Sequence, residues 1–491
     1  MATGKQSEVS YTQRLADFAV ETNFEHLPGE VVHQTKRIIL DTIGCGIAGY
    51  SLDRGKIVAE LVMDLGGKPE ASVFVSGDKV ACANAAFANA DLANAIDGDE
   101  TFLNFAHFAN TIVANALALG ERVGATGKDL ITAVALGFDV TARIGLSIPA
   151  LKVIGKPPNE RIQWGPVFGY GFVTPGGAVA AGKILGLDKG KMADAIGLAG
   201  ANAVCPSINK FLTEPALPMH KYAGYGFIAY TGVIAALLAE KGYTGDRTIL
   251  DGDLGFWRFS GGLEVNWDLL VGELGKKWWI LEDAIKLYPS CRLTHGCLDL
   301  FYKIKEEQKL KPEEIESVTT KLHSVAMGDK PIAEPSLTPQ PNDLTLQFNM
   351  PYLISLAALG INPGPGWYSP ERLTDPRLRE LMKKVKVVEI ESESISDLIK
   401  VIRDEPTKRF RKAPCSITVA ARGTRFDART DYIRGDPWQA ETRISDAQLK
   451  EKFRSFCYTI IRSAKIEKAI ESIYELEKVD NAAELAKFLT A

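Results

Sequence analysis

Apolar residues recur at helical spacing through roughly the first 270 residues of the chain. Residues 11–20 and 28–48 carry the three-to-four-residue repeat of an amphipathic helix and end near glycines. Residues 81–96 are Ala-rich, a composition that favours helix and lets neighbouring helices approach closely. Residues 128–144, 176–185, 191–204 and 224–241 continue the pattern. Several of these runs are apolar nearly all round, which predicts helices buried inside a large helical body. Turn-like punctuation falls at residues 188–191 and 240–243. The texture then changes. Residues 315–322 and 384–390 are rich in β-branched side chains, and residues 416–420 and 425–430 flank a glycine turn as a hairpin would. Interleaved helical runs at 298–307 and 352–359 make this an α+β module. From Ser445 the helical period returns, with Leu449, Phe453, Phe456 and Ile460 on one face. The predicted architecture is mainly α plus α+β. A helical domain is built from residues 1–272 and 441–491, and a smaller α/β domain, residues 273–440, is inserted between them.

Composition adds exclusions. A length of 491 residues exceeds one ordinary core, and 46% hydrophobic content supports packed domains. The net charge of −4 gives no reason to expect a nucleic-acid partner. The densest basic run, Lys408-Arg-Phe-Arg-Lys412, is short and isolated and reads as a solvated loop. Seven scattered cysteines, odd in number and without a CxxC pair, argue against a disulfide framework or a zinc site and suit a reducing cytoplasm. The polar first residues lack the apolar stretch of a secretory signal. No membrane span is expected; residues 224–239 come nearest and are broken by glycines. Phosphate-binding glycine loops and the H-E-x-x-H motif are missing, so neither a nucleotide nor that type of metal centre is indicated.

Four clusters could carry chemistry. Asp97, Asp99, Thr101 and His107 gather between two apolar runs, where charge is costly unless it pairs or reacts. Helix capping would explain the aspartates; a carboxylate tuning a histidine for acid/base work would explain the whole group. His220 and Lys221 precede a long apolar helix and suit an anion site or a solvated cap. The third cluster is Lys286-Leu-Tyr288-Pro-Ser-Cys291-Arg292-Leu-Thr-His295, where alternation would put Lys286 and Tyr288 on one face of a strand. Cys291 lacks the setting of an activated thiol or of a metal pair. The fourth is Gln347-Phe-Asn-Met-Pro351-Tyr352, in which Tyr352 is a core aromatic or a phenol donor.

Taken in order, these clusters resemble the MmgE/PrpD family. The resemblance starts at Ile38-Ile-Leu-Asp41-Thr-Ile-Gly44-Cys and takes in Asp97-Gly-Asp-Glu-Thr101 with His107. It continues through the Ala-rich stretch 177–187, Lys221, Lys286 to His295, and Gln347 to Tyr352. It implies a helical domain with a smaller α/β lid, a site in the cleft between them, a homodimer, and no metal or organic cofactor. The site residues it implies are Asp97, Thr101, His107, Lys221, His295 and Tyr352, with His220, Lys286 and Tyr288 as neighbours. The implied activity is that of a lyase on a small di- or tricarboxylic acid, by dehydration or decarboxylation through a carboxylate-stabilised carbanion. An epimerase of a related diacid and a non-catalytic metabolite-binding protein are the alternatives. Lys221, Lys286 and His295 would bind substrate carboxylates, His107 oriented by Asp97 would move a proton, Tyr352 would move the second, and Thr101 would position substrate. The chain departs from the family pattern at Phe108, where proline is usual, at Glu100, where aspartate is usual, and at Val167, where many members carry a histidine. Trp164, Phe105, Phe108 and residues 169–177 are expected to shape the pocket.

Overall fold

A computed structural model describes residues 10–103, 106–165, 169–204, 208, 211, 217–221, 224–323, 343–390 and 393–491. The apolar runs form helices where their periodicity places them: α1 (Tyr11–Glu21), α2 (Gly29–Gly49), α3 (Asp53–Leu65), α4 (Cys82–Ala95), α5 (Ala109–Val123), α6 (Gly127–Ser147), α7 (Val173–Ile184), α8 (Lys189–Ala201) and α9 (Tyr225–Glu240). Polar residues set their ends. Ser10 caps α1, Asp188 caps α8, and Thr126 with Asp129 forms a capping box on α6. Small residues set how closely the helices approach. A Cβ on Gly49 of α2 would stand 2.0 Å from the Leu92 carbonyl oxygen of α4, so only glycine allows that crossing. By length and composition α6, rather than residues 224–239, is the helix long and apolar enough to span a membrane; its apolar stretch is entirely buried within the helical body.

Short strands interrupt the helices. β1 (Ala71–Ser72) pairs with β2 (Lys79–Val80), and β3 (Thr101–Phe102) follows the acidic turn after α4. The hairpin β4 (Leu151–Ile154) and β5 (Arg161–Trp164) lies within the stretch expected to be helical throughout. Its alternating β-branched and polar residues are too few to show against the surrounding helical period. β6 (Asp283–Ala284) pairs with β3, matching Thr101 to Ala284 and Phe102 to Asp283.

The α+β module follows. β7 (Ile315–Leu322), β8 (Val385–Glu389), β9 (Cys415–Ala421) and β10 (Thr424–Thr430) form a sheet of order β10-β9-β7-β8, with only β7 and β8 parallel. Helices α10 (His295–Gln308) and α11 (Met350–Ala358) pack on it, and α12 (Glu393–Asp404) reaches the β4–β5 hairpin. The chain then returns to the body as α13 (Asp446–Cys457) and α14 (Ser463–Tyr474), with α13 against α2. The sequence reading of a mainly helical protein with a smaller α/β part matches this architecture.

Candidate active site

The acidic turn leaves the C-terminal end of α4 and is fully buried. Asp97, Asp99, Glu100, Thr101 and His107 are each at most 2% exposed. Asp97 has φ of 54°, and Lys221, its ion-pair partner, has the same φ. A non-glycine backbone in the left-handed region is unusual, and here it occurs at both partners of one ion pair. Asp97 Oδ1 accepts hydrogen bonds from Lys221 Nζ and Lys286 Nζ, each at 2.7 Å. Lys286 Nζ also reaches the Asp97 carbonyl at 2.9 Å, and Lys221 Nζ reaches the Asn94 carbonyl at 3.2 Å. Two ammonium groups from distant segments thus meet on one carboxylate oxygen.

His107 completes the cluster. Its Nε2 is 3.8 Å from Asp97 Oδ1 and its Nδ1 is 3.3 Å from Asp99 Oδ2. Asp99, rather than Asp97, is therefore the nearer carboxylate. Asn94 and Asn110 hold Asp99 in place by donating to it at 3.0 and 2.9 Å. Burial alone would raise the Asp97 pKa; Lys221, Lys286 and His107 outweigh it and hold the carboxyl below its usual range. Burial likewise acts against ionised Asp99, but His107 and the two lysines keep its pKa far below normal. Burial also lowers the His107 and Lys221 pKa values despite the neighbouring carboxylates. The resting imidazole is neutral, and Asp99 beside Nδ1 favours the tautomer with the proton there, leaving the Nε2 lone pair toward Asp97 and the lysines. Donor atoms of Asp97, Asp99 and His107 lie within 4.8 Å of one another, a spread that a divalent cation accepts. The two ammonium groups on Asp97 already supply the positive charge such an ion would bring.

Behind this cluster lies a second one. Glu100 Oε1 accepts the backbone N–H groups of Phe108 and Ala109, both at 2.6 Å, at the start of α5. Its Oε2 and both oxygens of buried Asp283 have no hydrogen-bond partner among the described residues. Burial and the charge of Asp99 push the Glu100 pKa up to about 8, and burial with Glu100 and Asp41 pushes Asp283 well up. Lys452 of α13 anchors the turn from below. Its Nζ pairs with Asp41 of α2 and donates to the Gly98 carbonyl at 2.6 Å.

The remaining sequence candidates lie at varying distance from this centre. Thr101 is buried, and its hydroxyl has no hydrogen-bond partner among the described residues. His295 opens α10 and is fully buried, with Nε2 3.1 Å from the Ser290 carbonyl and Nδ1 without a hydrogen bond among the described residues. Burial, Arg292 and Lys286 hold its pKa well below normal, so it is a neutral ring and not the cation a carboxylate would attract. Lys286 and Tyr288 do not share a strand face, because β6 ends at Ala284. The Tyr288 hydroxyl donates to Asp299 at 2.8 Å while Lys286 reaches Asp97. The Tyr352 hydroxyl donates to the Trp367 carbonyl. His220 is exposed and lies edge-on to Phe211. Phe108 is core, packed on Phe102, Phe138 and Phe172, whereas Trp164 is 49% exposed. Phe105 and Val167 lie outside the described residues.

Sequence reasoning missed one aromatic pair. Tyr225, at the start of α9, meets His107 edge-on at 6.3 Å between ring centroids, and Tyr170 stacks on Tyr225 at 6.1 Å. The Tyr225 hydroxyl is buried without a hydrogen bond among the described residues, and burial and Tyr170 raise its pKa well above normal, so it is a neutral phenol. Its position four residues after Lys221, at the head of an apolar helix, was the available signal.

The described residues thus combine a helical body and a smaller α/β part with a buried lysine–aspartate–histidine network. The MmgE/PrpD N-terminal domain matches residues 13–267 and the C-terminal domain matches residues 288–476, so the chain belongs to the MmgE/PrpD family. Its relatives include cis-aconitate decarboxylase of Mus musculus, 25% identical over 98% of this chain and 93% of the relative. The cis-aconitate decarboxylase-like protein oryM of Aspergillus oryzae is 21% identical over 99% of both chains. Cis-aconitate decarboxylase of Aspergillus terreus is 27% identical over 60% of both.

Proposed function

We propose that this protein is a lyase that decarboxylates a small tricarboxylic acid of the cis-aconitate type. The observation that carries this reading is the convergence of Lys221 and Lys286 on the single oxygen Asp97 Oδ1, with His107 Nε2 at 3.8 Å. A substrate carboxylate arriving here finds two ammonium groups already gathered. Their affinity for it competes with Asp97, which in the resting protein holds their place. The family membership and the relatives' names support the same reading.

In the reaction the bond between the α-carbon and the leaving carboxylate breaks. Its electron pair stays on carbon and spreads into the remaining conjugated carboxylate, and carbon dioxide departs. Lys221 and Lys286 stabilise the charge that builds on that carboxylate, a contribution that preorganised donors make without reorganising. A proton must then reach carbon. His107 is the proposed donor once it has taken up a proton, because Asp99 beside Nδ1 steadies the imidazolium. Tyr225, a neutral phenol edge-on to His107, and Thr101, with its unengaged hydroxyl, would orient the substrate. Lid closure, a homodimer and metal independence belong to this proposal as expectations of the family.

Incubating the protein with cis-aconitate tests it. Release of carbon dioxide is expected, falling by ~10²–10³ in His107→Ala and in Lys221→Ala. Hydration of the alkene, seen as loss of its absorbance without gas, would replace decarboxylation with the reverse of a dehydratase. Near-normal turnover in both variants would remove the site from the chemistry.

A further inference from the structure

Two residues of α13, one helical turn apart, meet the acidic turn at Gly98. Lys452 Nζ donates to the Gly98 carbonyl at 2.6 Å. The Phe456 ring lies where a side chain on Gly98 would be, since a Cβ there would stand 2.6 Å from Phe456 Cε2. The same helix is seated on α2, where a Cβ on Gly44 would stand 2.7 Å from Phe453 Cδ2 and where Asp41 pairs with Lys452. Packing α13 on α2 does not require that ammonium. A buried ion pair costs desolvation that its attraction barely offsets, and apolar side chains of similar volume fill such a site at least as well. What an apolar side chain cannot do is hold a carbonyl.

The carbonyl it holds is well placed. Gly98 lies between Asp97, which gathers Lys221 and Lys286, and Asp99, which stands 3.3 Å from His107 Nδ1. The two peptide oxygens of this stretch are gripped by different ammonium groups: Lys286 takes the Asp97 carbonyl at 2.9 Å and Lys452 takes that of Gly98. Asp97 is left-handed, a backbone state that persists only where its surroundings determine it. Without the second grip the peptide between Gly98 and Asp99 is free to rotate, and it carries Asp99 with it.

We propose that Lys452 is a positioning residue for the reaction: by holding the Gly98 carbonyl it keeps Asp99 beside His107 Nδ1, and so keeps the imidazolium available as the proton donor. This assignment rests on the reading of the acidic turn as the reacting site. Burial lowers the His107 pKa; of the groups that face it, Asp97, Asp99 and Glu100 of the turn with Lys221, Lys286 and Tyr225, Asp99 does most to raise it. Turnover that uses the imidazolium falls as pH rises through the His107 pKa, so a displaced Asp99 moves that limb to lower pH.

Carbon dioxide release from cis-aconitate across pH, together with urea denaturation, tests the assignment on wild type, Lys452→Met and the double variant Asp41→Leu with Lys452→Met. Lys452→Met is expected to lower kcat by about 10- to 100-fold, with a smaller change in KM and the limb displaced to lower pH. The double variant removes both charges, so it should regain the urea midpoint lost in Lys452→Met without regaining its kcat or its limb. Recovery of kcat together with the midpoint, a wild-type kcat in Lys452→Met, or a lowered kcat whose limb stays in place would each overturn the role of Lys452 and leave the site's reading standing. Wild-type protein that releases no carbon dioxide from cis-aconitate would overturn the reading itself, and the Lys452 assignment with it. If Lys452→Met does not fold, the double variant decides alone: a lowered kcat and a displaced limb at a wild-type midpoint support the assignment, and a wild-type kcat overturns it.

Discussion

Asp99 and Glu100 are adjacent, equally buried and opposite in protonation. Asp99 faces His107, two asparagine amides and, beyond them, Lys221 and Lys286, and it stays ionised. Glu100 receives two backbone N–H groups but faces Asp99, Asp41 and Asp283, and its pKa rises to about 8. Burial acts in the same direction on both. What differs is which charges reach each side of the turn: cations at the front, carboxylates at the back. The same short segment therefore supplies a fixed negative wall for a histidine and, behind it, a reservoir that keeps its proton.

The front of the turn should break most severely. Asp97→Ala leaves Lys221 and Lys286 buried and facing each other without their shared anion, a loss of about 3–5 kcal/mol by urea denaturation. A change under 1 kcal/mol would mean that water reaches these ammonium groups. The back of the turn responds to pH. Folded Glu100 keeps its proton up to about 8, whereas in the unfolded chain it titrates near the ordinary value of 4.5. Between those values the folded state binds more protons than the unfolded state, so its stability from this group is full below 4.5 and is lost as pH rises through about 8. Glu100→Gln, which copies the protonated acid, should flatten that decline in denaturation curves taken across the window; an unchanged slope would place the proton elsewhere, with Asp283 the next candidate. The smallest effect is expected at Thr101→Val. Its hydroxyl has no hydrogen-bond partner among the described residues, so stability should hold within ~0.5 kcal/mol while KM rises several-fold. A large loss of stability would show that the hydroxyl is engaged within the protein.

The helices were readable because each buries an apolar face along its own sequence, and period alone reveals that. The sheet strands were readable from β-branched runs of five to eight residues. Asp97, His107, Lys221 and Lys286 could be singled out because charge amid apolar helices is conspicuous. Their meeting on one oxygen could not be read, since Lys221 and Lys286 come from 124 and 189 residues away. Orientation was lost for the same reason. Tyr288 and Tyr352 look like free phenols in the sequence, yet each hydroxyl is committed to a distant partner, Asp299 or the Trp367 carbonyl. Lys452 was hidden differently. It sits next to the apolar stripe of α13, where a lysine ordinarily extends along the helix toward water.

The bond from Lys452 to the Gly98 carbonyl carries a consequence for the order of events in the life of the chain. The acidic turn is translated early, but the ammonium that pins it lies 354 positions later. Until α13 has been synthesised and laid against α2, Asp41 lacks its direct ion-pair partner and the Gly98 carbonyl lacks the Lys452 ammonium. A nascent or truncated chain could complete most of its helical body and still lack a finished site. Competence would then wait on the docking of α13 against α2, a contact that joins the two ends of the helical body.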